Sequence, residues 1–228
     1  MQSIEKLIDI MRQLRNPNGG CPWDLEQTYQ TMIPHVLEES YEVVETLQTQ
    51  DFTAMREELG DLLLQVIFLS QLADEDKQFD FNDVVTHLNQ KLIFRHPHVF
   101  GEKQAHNGAE ALKNWEAQKE QERLNKKQFS LLDDIPRALP ALLRAEKLQK
   151  RIAKFDQKTR CHSDLISQSE HYLQQLTGNA QDAETLGQLL YSVVELCRQA
   201  GLKAESLLRD ENERQEMLAR EKENVKCG

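Results

Sequence analysis

The sequence predicts an all-α fold on three observations. Apolar residues recur at helical spacing along almost the whole chain, no stretch alternates with period two for long enough to make a strand, and 228 residues contain only 9 Gly and 6 Pro. Little material is left for tight β-turns.

The elements follow in order from their start and stop signals. A first helix runs from about Ile4 to Arg15 and ends at the breaker cluster Asn16-Pro17-Asn18-Gly19-Gly20. Pro34 opens the next, to about Gln48, since a proline in a first turn lacks only an amide that would have no partner there. Asp51 is placed to cap a long helix to about Asp74, and Asp80 one to about Arg95. After the loop around His96-Pro97-His98, Asn107 caps a polar helix through Trp115 to Arg123. A stretch from Leu131 to about Lys154 reads as helical, punctuated by Pro136 and Pro140. Helices from Asp164 to Gly178, Asp182 to Ala200 and Lys203 to Glu223 complete the chain.

The chain contains an internal repeat. Leu59-Gly60-Asp61-Leu62-Leu63 with Val66-Ile67 returns as Leu186-Gly187-Gln188-Leu189-Leu190 with Val193-Val194. This divides the sequence into two tandem helical units, residues 1–125 and 126–228, joined at the Lys- and Gln-rich stretch from Asn125 to Phe129.

Composition narrows the function. Acidic residues outnumber basic ones by 38 to 28, for a net charge of -10, which argues against non-specific binding of a nucleic-acid polymer through a general basic surface. No run approaches the length of a membrane-spanning helix, the N-terminus carries Glu5 and Asp9 in an amphipathic pattern, and the four cysteines stand singly, Cys161 beside His162 included. A reduced, cytoplasmic protein without a membrane partner is expected. An acidic protein that handles phosphates needs a metal ion.

The residues that could hold one lie in two consecutive helices. Glu39 and Glu42 project from neighbouring positions on the first, and Glu58 and Asp61 on the second. Packed side by side, these helices would converge four carboxylates, the oxygen donors that Mg²⁺ or Mn²⁺ accepts. Taken alone, the first helix also reads as an ordinary solvated acidic face opposite Val36, Val43, Val44 and Leu47. The second is less ordinary. Leu62 to Leu69 is apolar nearly all round, which predicts burial on every side with Asp61 on the stripe of Leu64 and Phe68. A buried carboxylate must be neutral, paired or metal-bound. Gly60, unfavourable inside a helix, suggests close approach of another backbone or a ligand.

ExxE at Glu39 to Glu42, 15 intervening residues, and ExxD at Glu58 to Asp61 resemble the motif of the all-α nucleoside triphosphate pyrophosphohydrolases, most closely the MazG family. Gly20-Cys21-Pro22-Trp23-Asp24, Arg95-His96-Pro97-His98-Val99-Phe100, Trp115, and Leu132-Asp133-Asp134-Ile135-Pro136 to Lys150-Arg151 agree with it. The resemblance implies helical-bundle units in a homodimer, Mg²⁺ dependence with Mn²⁺ as a substitute, and hydrolysis of NTP or dNTP to the monophosphate and pyrophosphate. On that reading Glu39, Glu42, Glu58 and Asp61 hold the metal and Glu38 orients or deprotonates the attacking water. Lys91 and Arg95 contact phosphates, and Trp23 or Trp115 stacks on the base. Phe94 departs from the family, which commonly carries a basic residue there.

The second unit departs further. His171, Gln174, Thr185 and Gln188 stand where the four carboxylates would be, and neutral amides and a hydroxyl do not concentrate the charge that Mg²⁺ prefers. It therefore reads as a structural or dimer-forming relic. Beside the enzyme, the sequence admits a weakly active or inactive nucleotide-binding regulatory protein, or a helical adaptor with acidic faces; the complete carboxylate set of the first unit favours the enzyme.

Overall fold

The computed structural model describes residues 2–125, 130–156 and 160–227, and among them eleven helices and no strand. The chain divides into two compact units, Met1–Glu120 and Gln121–Gly228. The expected junction at 126–129 lies outside the described residues.

The first unit contains α1 (Gln2–Leu14), the short α2 (Pro22–Glu26), α3 (Tyr29–Thr49), α4 (Phe52–Glu75), α5 (Phe81–Arg95), the short α6 (Pro97–Phe100) and most of α7 (Gly108–Asn125). Helix α4 is its centre, with α1, α3 and α5 packed on it. Met11 of α1, Met32 of α3, and Ile67, Phe68 and Leu72 of α4 form the buried core. Each such side chain contributes about 1.5–3 kcal/mol when fully removed from water. Asp51 caps α4 as expected, accepting from the amides of Thr53 and Ala54 at 2.9 and 3.1 Å. Asp80 and Asp83 cap α5 reciprocally, and Asn107 accepts from the Glu110 amide at the start of α7.

Three expectations are corrected. Helix α3 begins at Tyr29, before Pro34, because Thr28 and Thr31 exchange side-chain and backbone hydrogen bonds and start the helix a turn early. Pro34 sits inside it, depriving the Gln30 carbonyl of its usual donor. Helix α4 is not buried on every side: Ile67, Phe68 and Leu72 face the core, while Leu59, Leu63, Val66 and Asp61 are exposed. Three partner helices leave one face of its first half uncovered, and a Cβ at Gly60 would meet nothing within 4 Å, so no neighbouring backbone of this chain requires that glycine. Finally, the stretch from Leu131 becomes helical only at Ala141. Pro140 starts that helix, its carbonyl accepting from the Arg144 amide at 2.8 Å.

The second unit holds α8 (Ala141–Asp156), α9 (His162–Gly178), α10 (Ala183–Gln199) and α11 (Ala204–Cys227). Helix α10 is its centre, flanked by α8, α9 and α11. Leu165, Val194 and Ala204 are buried, and Gln149 of α8 donates to the Tyr191 carbonyl at 2.7 Å. The α9–α10 pair repeats the antiparallel arrangement of α3 and α4, with Asp182 in the capping role of Asp51.

One side chain fastens the first unit. Arg15, just past α1, is buried; its Nε and Nη2 donate to Glu75 at 2.8 and 2.6 Å. Its Nη1 donates to the carbonyls of Asp24 and Gln27, and the guanidinium lies 5.3 Å from the Phe68 ring centroid. Hydrogen bonding from Arg15 holds the Glu75 carboxyl below the usual carboxylate range. Arg15→Met leaves those carbonyls and Glu75 without their donor and is expected to destabilise the protein by about 3 kcal/mol in urea unfolding. Because Glu75 has a lower pKa folded than unfolded, its contribution is present at neutral pH and is lost as pH falls through that lowered value. Arg15→Met should lack this acid-limb loss; an unchanged pH profile of the urea midpoint would show that the pair does not carry it.

Candidate metal centre

The geometry of the site follows from one turn. Gln50, at φ 54° in the left-handed region, ends α3, and Asp51 caps α4 directly after it, so the two helices run antiparallel with a minimal connection. Glu39 and Asp61 are equidistant in sequence from Gln50, as are Glu42 and Glu58, so this hairpin brings the pairs level. Tyr29 at the far end of α3 donates to Asp76 just beyond α4 at 2.9 Å, fixing the helices at their open end as well.

Ligand oxygens of Glu39, Glu58 and Asp61 lie within 4.8 Å of one another. Glu39 and Glu58 are half-buried and Asp61 is exposed. Glu42 stands outside this trio but acts on it, its charge raising the pKa of both Glu39 and Glu58. Desolvation is the largest cause of the rise at each; for Glu39 it is followed by repulsion from Asp61, Glu42, Glu58 and Glu38, and for Glu58 by repulsion from Glu42, Asp61, Glu57 and Glu45. The charges that dominate both groups are all carboxylates. Such a set lacks a counter-charge and consists wholly of hard oxygen donors, which fits a divalent cation of the Mg²⁺ or Mn²⁺ class.

The remaining predicted site residues fall around this trio in different ways. Glu38, next to Glu39 on α3, carries its carboxylate 3.9 Å from His35 Nδ1 and adds to the repulsion on Glu39. His35 in turn meets the exposed Trp23 edge-on, with ring centroids 5.9 Å apart, so Trp23 stands over the first half of α3. Arg95 and Trp115 are joined to one another: the guanidinium lies 5.5 Å from the indole centroid, and Lys119 Nζ lies 4.6 Å from the same ring. Lys91 is half-buried on α5.

Sequence reasoning passed over Gln65 and His35. Gln65 is buried on α4 and donates from Nε2 to Glu39 Oε1 at 3.4 Å. Its signal was present in the sequence, since it is the one polar residue in the run from Leu62 to Leu69.

In the second unit the residues at the ligand positions are engaged locally. Thr185 is buried and its hydroxyl donates to Asp182 at 2.8 Å, Gln188 donates to Glu184 at 3.2 Å, and His171 and Gln174 are exposed. Among the described residues, the carboxylate cluster belongs to the first unit.

Comparison with known proteins bears on the same region. The MazG nucleotide pyrophosphohydrolase domain matches residues 27–100, which span α3, α4 and α5. The nucleoside triphosphate pyrophosphohydrolase of Escherichia coli K12 is 45% identical over 233 residues, covering 99% of this chain and 89% of its own. A nucleoside triphosphate pyrophosphohydrolase/pyrophosphatase MazG of Thermotoga maritima is 38% identical over 210 residues, covering 90% and 80%. A crystal structure of a mazG-related protein from Thermotoga maritima aligns with 51% of the chain and 98% of its own at a TM-score of 0.43 and 28% identity. Identity sustained over nearly the whole length, with the domain match centred on the helices that carry the carboxylates, shows that the chain belongs to the MazG nucleotide pyrophosphohydrolase family.

Proposed function

We propose that the first unit is a metal-dependent nucleoside triphosphate pyrophosphohydrolase, converting NTP or dNTP and water to the monophosphate and pyrophosphate. The observation that carries this reading is the convergence of Glu39, Glu58 and Asp61 within 4.8 Å, with Glu42 beside them and only carboxylates dominating their electrostatics. Mg²⁺ or Mn²⁺ bound there would neutralise triphosphate charge and polarise the reacting phosphoryl group. Glu39, Glu58 and Asp61 would hold the ion, and Glu42 would supply the fourth carboxylate. Glu38 orients a water toward the α-phosphorus and takes its proton as the bond to the pyrophosphate oxygen breaks. Lys91 and Arg95 draw in the phosphates, and the exposed ring of Trp23 offers a face to the base. Trp115 already carries two cations against its ring, so it serves the site by holding Arg95.

The working form in this reading is a homodimer. Leu59, Leu63 and Val66 make an exposed apolar stripe beside the carboxylates on α4, the kind of surface that a second copy removes from water. A cytoplasmic setting accords with free thiols at Cys21, Cys161 and Cys197 and with described helices none of which is long and apolar enough to cross a membrane.

Pyrophosphate release from a panel of NTPs and dNTPs, with and without Mg²⁺, tests the activity. Glu39→Gln, Glu42→Gln, Glu58→Gln and Asp61→Asn should each lower the rate by about 10² or more while remaining folded, the scale of losing one key electrostatic group. Full activity in Glu58→Gln would remove that residue from the site.

The raised carboxylates give a stability test without nucleotide. A carboxyl whose pKa is higher folded than unfolded opposes folding at neutral pH, and the opposition fades as pH falls through the raised value. In metal-free protein, Glu58→Gln should therefore melt above wild type at neutral pH, with the gap closing toward acid. With Mg²⁺ added, wild type should gain stability by linkage and Glu58→Gln should not. A Glu58→Gln protein that melts below wild type without metal would contradict the crowding of carboxylates.

For the second unit, His171→Ala or Gln188→Ala should leave pyrophosphate release nearly unchanged. Inactivity of either would move the catalytic centre out of the first unit.

A further inference from the structure

Gln65 is 6% exposed, one turn beyond Asp61 on α4. Its Nε2 donates to Glu39 Oε1 at 3.4 Å, whereas its own Oε1 is enclosed by protein without a hydrogen-bond partner. An enclosed acceptor left unmet disfavours folding relative to an apolar side chain of the same shape, so packing alone does not account for an amide here. Its orientation is dictated by chemistry: an ionised carboxylate only accepts, so the nitrogen faces Glu39. The helices make the contact reachable. Side chains lean toward the N-terminus of their own helix, and in this antiparallel pair Glu39 leans away from the Gln50 turn while Gln65 leans toward it.

The second unit provides an internal comparison. In the repeat that aligns Asp61 with Gln188, Gln65 aligns with Ser192. Ser192 is also buried, but its hydroxyl donates to the Gln188 carbonyl within its own helix at 3.0 Å. Where the carboxylates are gone, the amide that reaches across to one of them is gone too. Among the described residues, Gln149 is the other buried amide with an unmet oxygen, and it donates instead to the backbone carbonyl of Tyr191, joining two helices.

We propose that Gln65 is a positioning residue of the metal centre: its amide holds the Glu39 carboxylate in the orientation that meets Glu58 and Asp61, so that this long side chain is ordered before the cation arrives. The inference rests on the carboxylate reading given above. It predicts opposite effects on two measurable quantities. Gln65→Leu deletes the donor to Glu39 and the unmet acceptor together, so metal affinity falls while the metal-free fold keeps or gains stability.

The test is calorimetric titration of the full chain with Mn²⁺ or Mg²⁺, in the absence of nucleotide, beside urea unfolding of the metal-free protein. Gln65→Leu is expected to weaken metal binding by about 10–100-fold, as losing a hydrogen bond to a metal ligand does, with an unchanged or higher urea midpoint. Gln65→Met, unbranched and of the same length, gives the same comparison should leucine pack poorly. Glu58→Gln is the control for the centre itself. If Glu58→Gln loses metal while both Gln65 variants bind like wild type, the positioning role is overturned and the centre stands. If the Gln65 variants lose stability but keep wild-type affinity, the residue is a core amide only. If wild type binds no metal, or Glu58→Gln binds as well as wild type, the centre is wrong and this inference falls with it.

Discussion

The site depends on a length constraint: the connection between α3 and α4 consists of Gln50 and Asp51, and this brevity sets which carboxylates face one another. One residue more or less would rotate the α4 carboxylates about 100° relative to those of α3, enough to move them off a common face. Gln50 meets the constraint by adopting φ 54°, an uncommon conformation for a residue with a side chain, and Asp51 by capping α4 without an intervening loop. The second unit shows the effect of relaxing it. There Asn179 to Asp182 separate α9 from α10, and Thr185, aligned with Glu58, falls in the first turn of its helix, where its hydroxyl bonds the cap. Glu58 lies farther into α4, beyond the capping turn, and is left facing the other carboxylates.

The two ends of α4 carry opposite electrostatic character. At its C-terminal end, Glu75 is paired with buried Arg15, and the pair ties α1 and the segment bearing Trp23 to the core. Near its N-terminal end, Glu58 and Asp61 meet Glu39 with Glu42 close by, and repulsion reinforces desolvation in raising both Glu39 and Glu58. Attraction at one end offsets part of the repulsion at the other. A hairpin clamped by Tyr29 to Asp76, with α4 also tied to the segment after α1 by Arg15 and Glu75, can keep carboxylates closer together than their charges favour, which is the preorganisation that a hard cation requires.

Local rules were the most legible part of the sequence. Asp51, Asp80 and Asn107 cap helices as read because a capping interaction involves residues only two or three apart, as a sequence displays them. Thr28 was missed because its partner is Thr31, not the Glu or Gln of the usual motif, and Pro34 offered a louder but mistaken signal. The apolar circumference of α4 was misread for a different reason. Periodicity records that a face avoids water without recording what covers it, so Leu63 and Val66 read as core although they are exposed. The contacts of Trp115 with Arg95, and of Gln65 with Glu39, join different helices and have no periodic signature.

The two units differ along the seam of their central helix pairs while their cores stay alike in kind. The proposed ligand positions lie on the mutual edge of a helix pair whose stability comes from elsewhere, from Met11, Ile67 and Phe68 in one unit and from Leu165 and Val194 in the other. Replacing a carboxylate there removes repulsion and leaves the core intact. In α10, Thr185, Gln188 and Ser192 satisfy their hydrogen bonds within their own helix or its cap. In α4, Gln65 reaches instead to Glu39, and Glu58 and Asp61 converge with that same residue. Polar groups that are satisfied within their own helix stabilise it locally, whereas groups directed across the α3–α4 seam crowd like charges at a cost in stability, the pattern expected where a proposed site is maintained.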